Sequence, residues 1–284
     1  NLILDPILIF GLFGFPRLEI QGAAIATIFA NACAMGTGLY INYFRKNLLC
    51  RISEIDFSTF GNSAKRLLVI ALPAGLTSTI QPLVNAVIMA LLTGYGVQAV
   101  AAFGVVTRIE AFCFIILMAL STGMAPIIGQ NWGAGAYARV HETLKKAIGF
   151  NVLWSALVAL ILGIFARPIA GLFSDDPQMI QYATLFFWIV PFSYAFGNLI
   201  MGWSSAFNAM GMPRHSVLMI VVKMLVLLLP ALYIGEKFYG VTGLFFAIAI
   251  VNVLAGSIFH YLNWHKCRMM EIKQNTPEPK TTSA

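Results

Sequence analysis

A few polar and ionisable side chains stand inside long apolar stretches of this sequence. Asp5 lies in the first apolar run, with Asn1 four residues before it and so on the same helical face. An acid placed in hydrocarbon is costly and is a functional hypothesis by default. A carboxylate beside an amide can hold a proton or a hard cation. The competing reading is an Asp-Pro helix start, with Asp5 capping near the interface. Arg108 and Glu110 fall in a later apolar run, roughly 16 and 20 Å along it from Val97 at about 1.5 Å per residue. Two residues apart, they point to nearly opposite faces and are poor partners for each other. Lys223 is about 12 Å into its own run and shares a depth with Glu110 in a bilayer of roughly 30 Å. A Glu110–Lys223 contact is one reading, as a static pair or as a charge switch, and Lys223 snorkelling is the other. Gln81 and Asn85, four apart, and Asn198 could line a substrate cavity or hydrogen-bond between helices.

Such side chains need elements that hold them in lipid. The chain has 284 residues, 59% hydrophobic and only 10% charged, against roughly 25% charged in a soluble domain. So few charges could not cover a globular surface, which excludes a soluble enzyme, and the hydrophobicity excludes disorder. The runs show no barrel-type alternation: Val217 to Ile234 carries the single charge Lys223. Only helices or closed barrels satisfy the backbone in lipid, so these runs are helices. Eight segments follow, at 1–13, 21–44, 67–92, 97–128, 144–166, 179–207, 215–234 and 241–264. Pro73, Pro82, Pro126, Pro191 and Pro230 fall in or near them and predict kinks. The fold class is an all-α integral membrane protein, a polytopic helical bundle.

Charge placement orients the bundle. Thirteen of the eighteen Lys and Arg fall in alternate linkers and the tail, among them Arg45, Lys65, Arg139, Lys145, Arg214 and Lys266. The opposite side holds Arg17, Arg167 and Lys237. The positive-inside rule puts the thirteen in the cytoplasm, with the C-terminus, so the net charge of +7 calls for no nucleic-acid partner. Residues 51–66 read as an interfacial linker between two bundles, and TPEPKTTSA at the end as disordered chain. Gly22 to Asn31 and Gly243 to Asn252 share Gly, Ala and Asn at matching places. If this is a repeat, residues 1–44 correspond to 215–264, the last two helices of a six-helix unit. The chain opens at Asn1 inside an apolar run, which predicts a fragment of a longer protein.

Several stretches resemble the multidrug and toxic compound extrusion (MATE) transporters. They are Asn1-Leu-Ile-Leu-Asp5-Pro6 with Gly22-Ala-Ala-Ile-Ala-Thr27, and Thr107-Arg-Ile-Glu-Ala-Phe112 followed by Pro126 and Gly129-Gln-Asn-Trp-Gly-Ala-Gly135 with Arg139-Val140. Phe173-Ser-Asp-Asp176 and Phe207-Asn-Ala-Met-Gly-Met-Pro213 resemble later loops of the family. The resemblance implies helices five to twelve of a twelve-helix, two-lobe transporter. It divides the chain into 1–44 (end of the first lobe), 45–66 (inter-lobe linker), 67–264 (six-helix second lobe) and 265–284 (cytoplasmic tail). It also implies a cation- or proton-coupling site built from Asn1, Asp5 and Thr27. Some sodium-coupled members carry a Glu where Gln81 stands, which puts a second-lobe cation site in doubt.

The implied activity is secondary active efflux of amphipathic, often cationic, compounds in exchange for H⁺ or Na⁺. The implied setting is the inner (plasma) membrane, with small-molecule drugs or organic cations and the bilayer as partners, and a monomer. The alternative is a flippase for lipid-linked oligosaccharides, which would want more cationic residues on its cavity than Arg108 and Lys223. Gly129 to Gly135 lacks the Gly-Lys-Ser/Thr ending of a phosphate loop and follows no strand, so ATP-driven transport is unsupported. The four cysteines and His141, His215, His260 and His265 are scattered singly, so no metal, no other cofactor and no enzyme are expected beyond a monovalent Na⁺ at Asp5.

Overall fold

The computed structural model describes residues 2–45 and 60–275, and every regular element among them is helical. Asn1, residues 46–59 of the linker and the end of the tail lie outside the described residues. The chain forms two compact units, Asn1–Lys65 and Arg66–Ala284. The first holds α1 (Leu4–Phe10) and α2 (Glu19–Tyr40). The second is built from most of α3 (Phe60–Thr93), then α4 (Val97–Gly133), α5 (Tyr137–Ile164), α6 (Ala166–Gly171), α7 (Pro177–Ile189), α8 (Tyr194–Ala209), α9 (Pro213–Val221) and α10 (Leu229–Asn275). A π-helical stretch, Val222–Leu228, joins α9 to α10. Five helical stretches among the described residues are long and apolar enough to cross a bilayer.

Every one of the eight expected segments contains a helix, but the bounds shift. α3 starts at Phe60, so the last residues of the expected linker already belong to a helix. The 179–207 segment is broken, because Pro191 opens a 3-10 turn, Pro191–Ser193, between α7 and α8. Proline lacks the amide hydrogen that an unbroken helix would use there. α10 runs through residue 264 to Asn275 and takes in the start of the expected tail.

Each unit contains a close helical hairpin. α10 is interrupted at Gly240 (φ 58°, ψ −137°), a conformation that favours glycine. The chain doubles back there, and a Cβ on Gly243 would lie 1.9 Å from the Gly235 carbonyl oxygen. In the first unit a Cβ on Gly22 would lie 2.5 Å from the Leu8 oxygen. Small residues let helix backbones approach where lipid supplies no hydrophobic drive between helices. Gly22 and Gly243, aligned in the sequence comparison, both serve that purpose.

The second unit has two apolar cores. One gathers Leu92, Phe103, Phe186, Phe187, Leu232 and Phe245. The other gathers Ile128, Leu144, Trp203, Phe207 and Met219 towards the charged ends of the helices. Along α4, α8 and α10 the first core stops at Val106, Tyr194 and Val251, and the second starts at Met124, Leu199 and Ala255. Glu110, Ser121, Asn198 and Asn252 fall in the gap.

Candidate functional site

That gap begins just past the break at Pro191. Unwinding a helix frees backbone carbonyls, and in lipid each must find another donor. Four other helical elements supply polar side chains there. From α4, the Glu110 carboxylate accepts a hydrogen bond from the Tyr194 hydroxyl at 2.7 Å. From α5, the Asn151 amide donates to the Ala195 carbonyl at 2.9 Å, and Asn151 is only 6% exposed. The Asn252 amide of α10 donates to the Ser193 hydroxyl at 3.0 Å, while Ser193 donates to the Val190 carbonyl at 2.7 Å. From the π-helical stretch, the Lys223 ammonium donates to the Gly197 carbonyl at 3.4 Å, and Lys223 is only 7% exposed. Gly197 is glycine because Asn252 lies where its Cβ would be, 2.9 Å from the amide carbon.

The expected Glu110–Lys223 contact is not formed in this structure. Glu110 is engaged by Tyr194 and Lys223 by Gly197, three residues further along the same helix. The carboxylate and the ammonium are held by separate groups. Arg108 is exposed and turned away from Glu110, as two-residue spacing requires. Gln81 donates to the Asn85 side chain at 3.2 Å along α3, with Gln81 exposed. Asn198 sits one turn beyond Tyr194; its amide nitrogen is buried and has no hydrogen-bond partner.

In the first unit, Asp5 lies in the first turn of α1. Its Oδ1 is buried and has no hydrogen-bond partner among the described residues. Thr27 is exposed and its hydroxyl donates to the Ala23 carbonyl at 2.9 Å, so no bond joins it to Asp5. Asn1 lies outside the described residues. Sequence reasoning named Asp5, Glu110, Lys223 and Asn198. It missed Tyr194, Ser193, Asn151 and Asn252, whose only sequence signal is nearness to Pro191 or, for the asparagines, an amide in an apolar run.

The histidines, scattered in sequence, partly converge at the charged end. His141 and His260 both pack on Trp264, at 4.0 and 5.6 Å between ring centres, and Trp203 donates to His260 at 3.2 Å. These are packed aromatic contacts, and no group of three or more metal-binding side chains occurs among the described residues.

Comparison with known proteins gives a consistent result. Residues 73–234 match the family model described as MatE. The chain is 39% identical to a FAD transporter of Shewanella oneidensis, over 94% of this chain and 59% of that protein. It is 27% identical to the multidrug export protein MepA of Staphylococcus haemolyticus, over 92% of this chain and 56% of that protein. The crystal structure of the Vibrio cholerae MATE transporter VcmN in the bent form superposes with a TM-score of 0.81 at 30% identity, over 96% of this chain and 60% of that one. The chain thus spans less than two thirds of the length of the relatives it matches.

Proposed function

This chain belongs to the MatE family of membrane transporters, and from that premise we propose that it serves a secondary active exporter of bulky amphipathic compounds, driven by inward flow of H⁺ or Na⁺ across the plasma membrane. The observation that carries the coupling is the Asp5 carboxylate, with Oδ1 buried and unpartnered. An unpaired buried charge is expensive and is relieved by a proton or a cation. A hard cation collects about six or more oxygens. The proton-coupled reading needs only the Asp5 carboxyl, and export driven by a pH step against export driven by a Na⁺ step separates the two ions. Loading and unloading Asp5 would bias the two-lobe protein between its outward- and inward-open states, as differential binding must. Thirteen of eighteen basic residues on one side favour a cytoplasmic C-terminus.

The test is Asp5→Asn in the intact protein. The variant should still insert in the membrane but lose ion-driven export of ethidium from loaded vesicles. Export at the wild-type rate would refute the role of Asp5.

A second reading concerns the cargo. Greater identity with the FAD transporter, 39% against 27% for MepA, favours a flavin dinucleotide over a drug. Proteoliposomes offered FAD and ethidium in parallel separate the two: uptake of FAD alone supports the flavin reading, and uptake of ethidium alone overturns it.

A further inference from the structure

α4 and α8 pack in register. The Tyr194–Glu110 and Ser205–Ser121 bonds each join residues 84 apart in sequence, so the helices run parallel with a constant offset. Along α4, Glu110, Leu117 and Ser121 share one face by their spacing of seven and four, and along α8 so do Tyr194, Asn198 and Ser205. The seam between those faces carries Glu110, Tyr194, Asn198, Ser121 and Ser205, with Leu117 as the apolar residue among them. The Ser204 hydroxyl, one residue earlier and off this face, meets Ser216 of α9. α8 ends four residues after Ser205, at Ala209, and Arg214 in the next helix is exposed.

A cavity of about 30 Å³ interrupts this seam between α4, α5 and α8, lined by Ser121, Asn151 and Asn198 among apolar neighbours that include Met124 and Trp203. A water needs roughly 10–15 Å³ measured this way, so the space takes about two. The cavity is mostly apolar, but Ser121, Asn151 and Asn198 offer polar partners in it, and the Asn198 amide nitrogen is buried with none of its own. A buried donor left unmade is costly, and bound water is the ordinary remedy. The axial rise from Tyr194 to Asn198 is about 6 Å, the span of two hydrogen bonds through one water.

We propose that the α4–α8 seam is a hydrated proton path, in which water held at Asn198 connects the Glu110 carboxyl to the charged end of the bundle. A proton entering as hydronium passes along the water and hydroxyl file to a Glu110 oxygen, and leaves by the reverse transfer to water. The titratable groups beside Glu110 are Tyr194 on α8 and Cys113 on α4. Arg108 is turned outward, and Lys223 is held by Gly197. The role of the path rests on the proton-coupled reading given above; its hydration does not.

Hydroxyl-radical footprinting of the intact protein in lipid nanodiscs tests the hydration. Radicals form from water, so labelling of a buried side chain marks a water beside it. Met124 and Met179 are alike in type and burial, at 5% and 3% exposed, but only Met124 lines the cavity. Met124 should be labelled and Met179 silent, and Asn198→Leu should abolish the Met124 label. Equal silence at both methionines in the wild type overturns the proposal without need of any variant. The proton role is read from exchange driven by a pH step in proteoliposomes. Glu110→Gln and Asn198→Leu should each slow it severalfold, and the double variant should be no slower than Glu110→Gln alone. Multiplying effects, or no pH-driven exchange at all, overturn the proton role. Full exchange by Asp5→Asn with Met124 still labelled would sink the Asp5 reading and leave the seam standing.

Discussion

Replacing Gly243 by alanine should be the most damaging methyl addition in the last hairpin. The new Cβ would lie 1.9 Å from the Gly235 oxygen, 2.5 Å from its carbonyl carbon and 2.9 Å from the Tyr239 Cβ. The two closest obstacles are backbone atoms, which cannot turn aside as a side chain can. An ordinary carbon–oxygen contact of about 3.3 Å is reached only if the two helices of the hairpin part by more than an ångström. Overpacking of this kind costs typically 1–3 kcal/mol, and the backbone obstruction places Gly243→Ala at about the upper end. A loss of about 3 kcal/mol lowers Tm by roughly 5–10 °C in a protein of this size. The assay is thermal unfolding in detergent, followed by tryptophan fluorescence, with Gly149→Ala as the matched control. Gly149 lies in α5 with nothing within 4 Å of its built Cβ. There the better helix propensity of alanine should hold Tm level or raise it. A Gly243→Ala protein as stable as the wild type would refute the close-approach argument, and with it the same argument for Gly22.

Two further outcomes are expected. Tyr95, in the turn between α3 and α4, donates to Glu236 at 3.0 Å, so Tyr95→Phe should cost about 0.5–1.5 kcal/mol in detergent unfolding. Partial burial and then the Glu236 carboxylate raise the Tyr95 phenol above its ordinary 10.0; the wild-type advantage should hold in full below pH 10 and vanish as pH climbs through the raised value, and an advantage that persists there would contradict the bond. A double-mutant cycle with Glu110→Gln and Tyr194→Phe should show a coupling of about 0.6–1.7 kcal/mol in unfolding, whereas strict additivity would mean that the two side chains do not interact.

Much of the architecture is legible from composition alone. A run such as Val217 to Ile234 with one charge has no option but helix in lipid, and depth follows at about 1.5 Å per residue. That arithmetic led to the expectation of a Glu110–Lys223 contact. It failed on which way they face, because facing depends on rotation about the axis. The π-helical stretch at Val222–Leu228 and the break at Pro191 both reset that rotation, and neither has a local sequence mark strong enough to fix its geometry. Tyr194 escaped for a different reason. An aromatic residue in an apolar run reads as core, and its hydroxyl gains meaning only once α4 is laid beside α8. Asn151 and Asn252 were equally visible as amides, but their partners are carbonyl and hydroxyl oxygens that a helix break sets free.

The wide turn from Val222 to Leu228 stores one residue of slack in the helix that carries Lys223. Drawing that slack out would advance one flank by about 1.5 Å and swivel it by roughly 100°. A single ammonium could then leave the carbonyl of Gly197 for a different neighbour while every backbone hydrogen bond on the far flank stayed intact. Few places in a membrane helix allow a charge to change company at so small a cost in broken bonds.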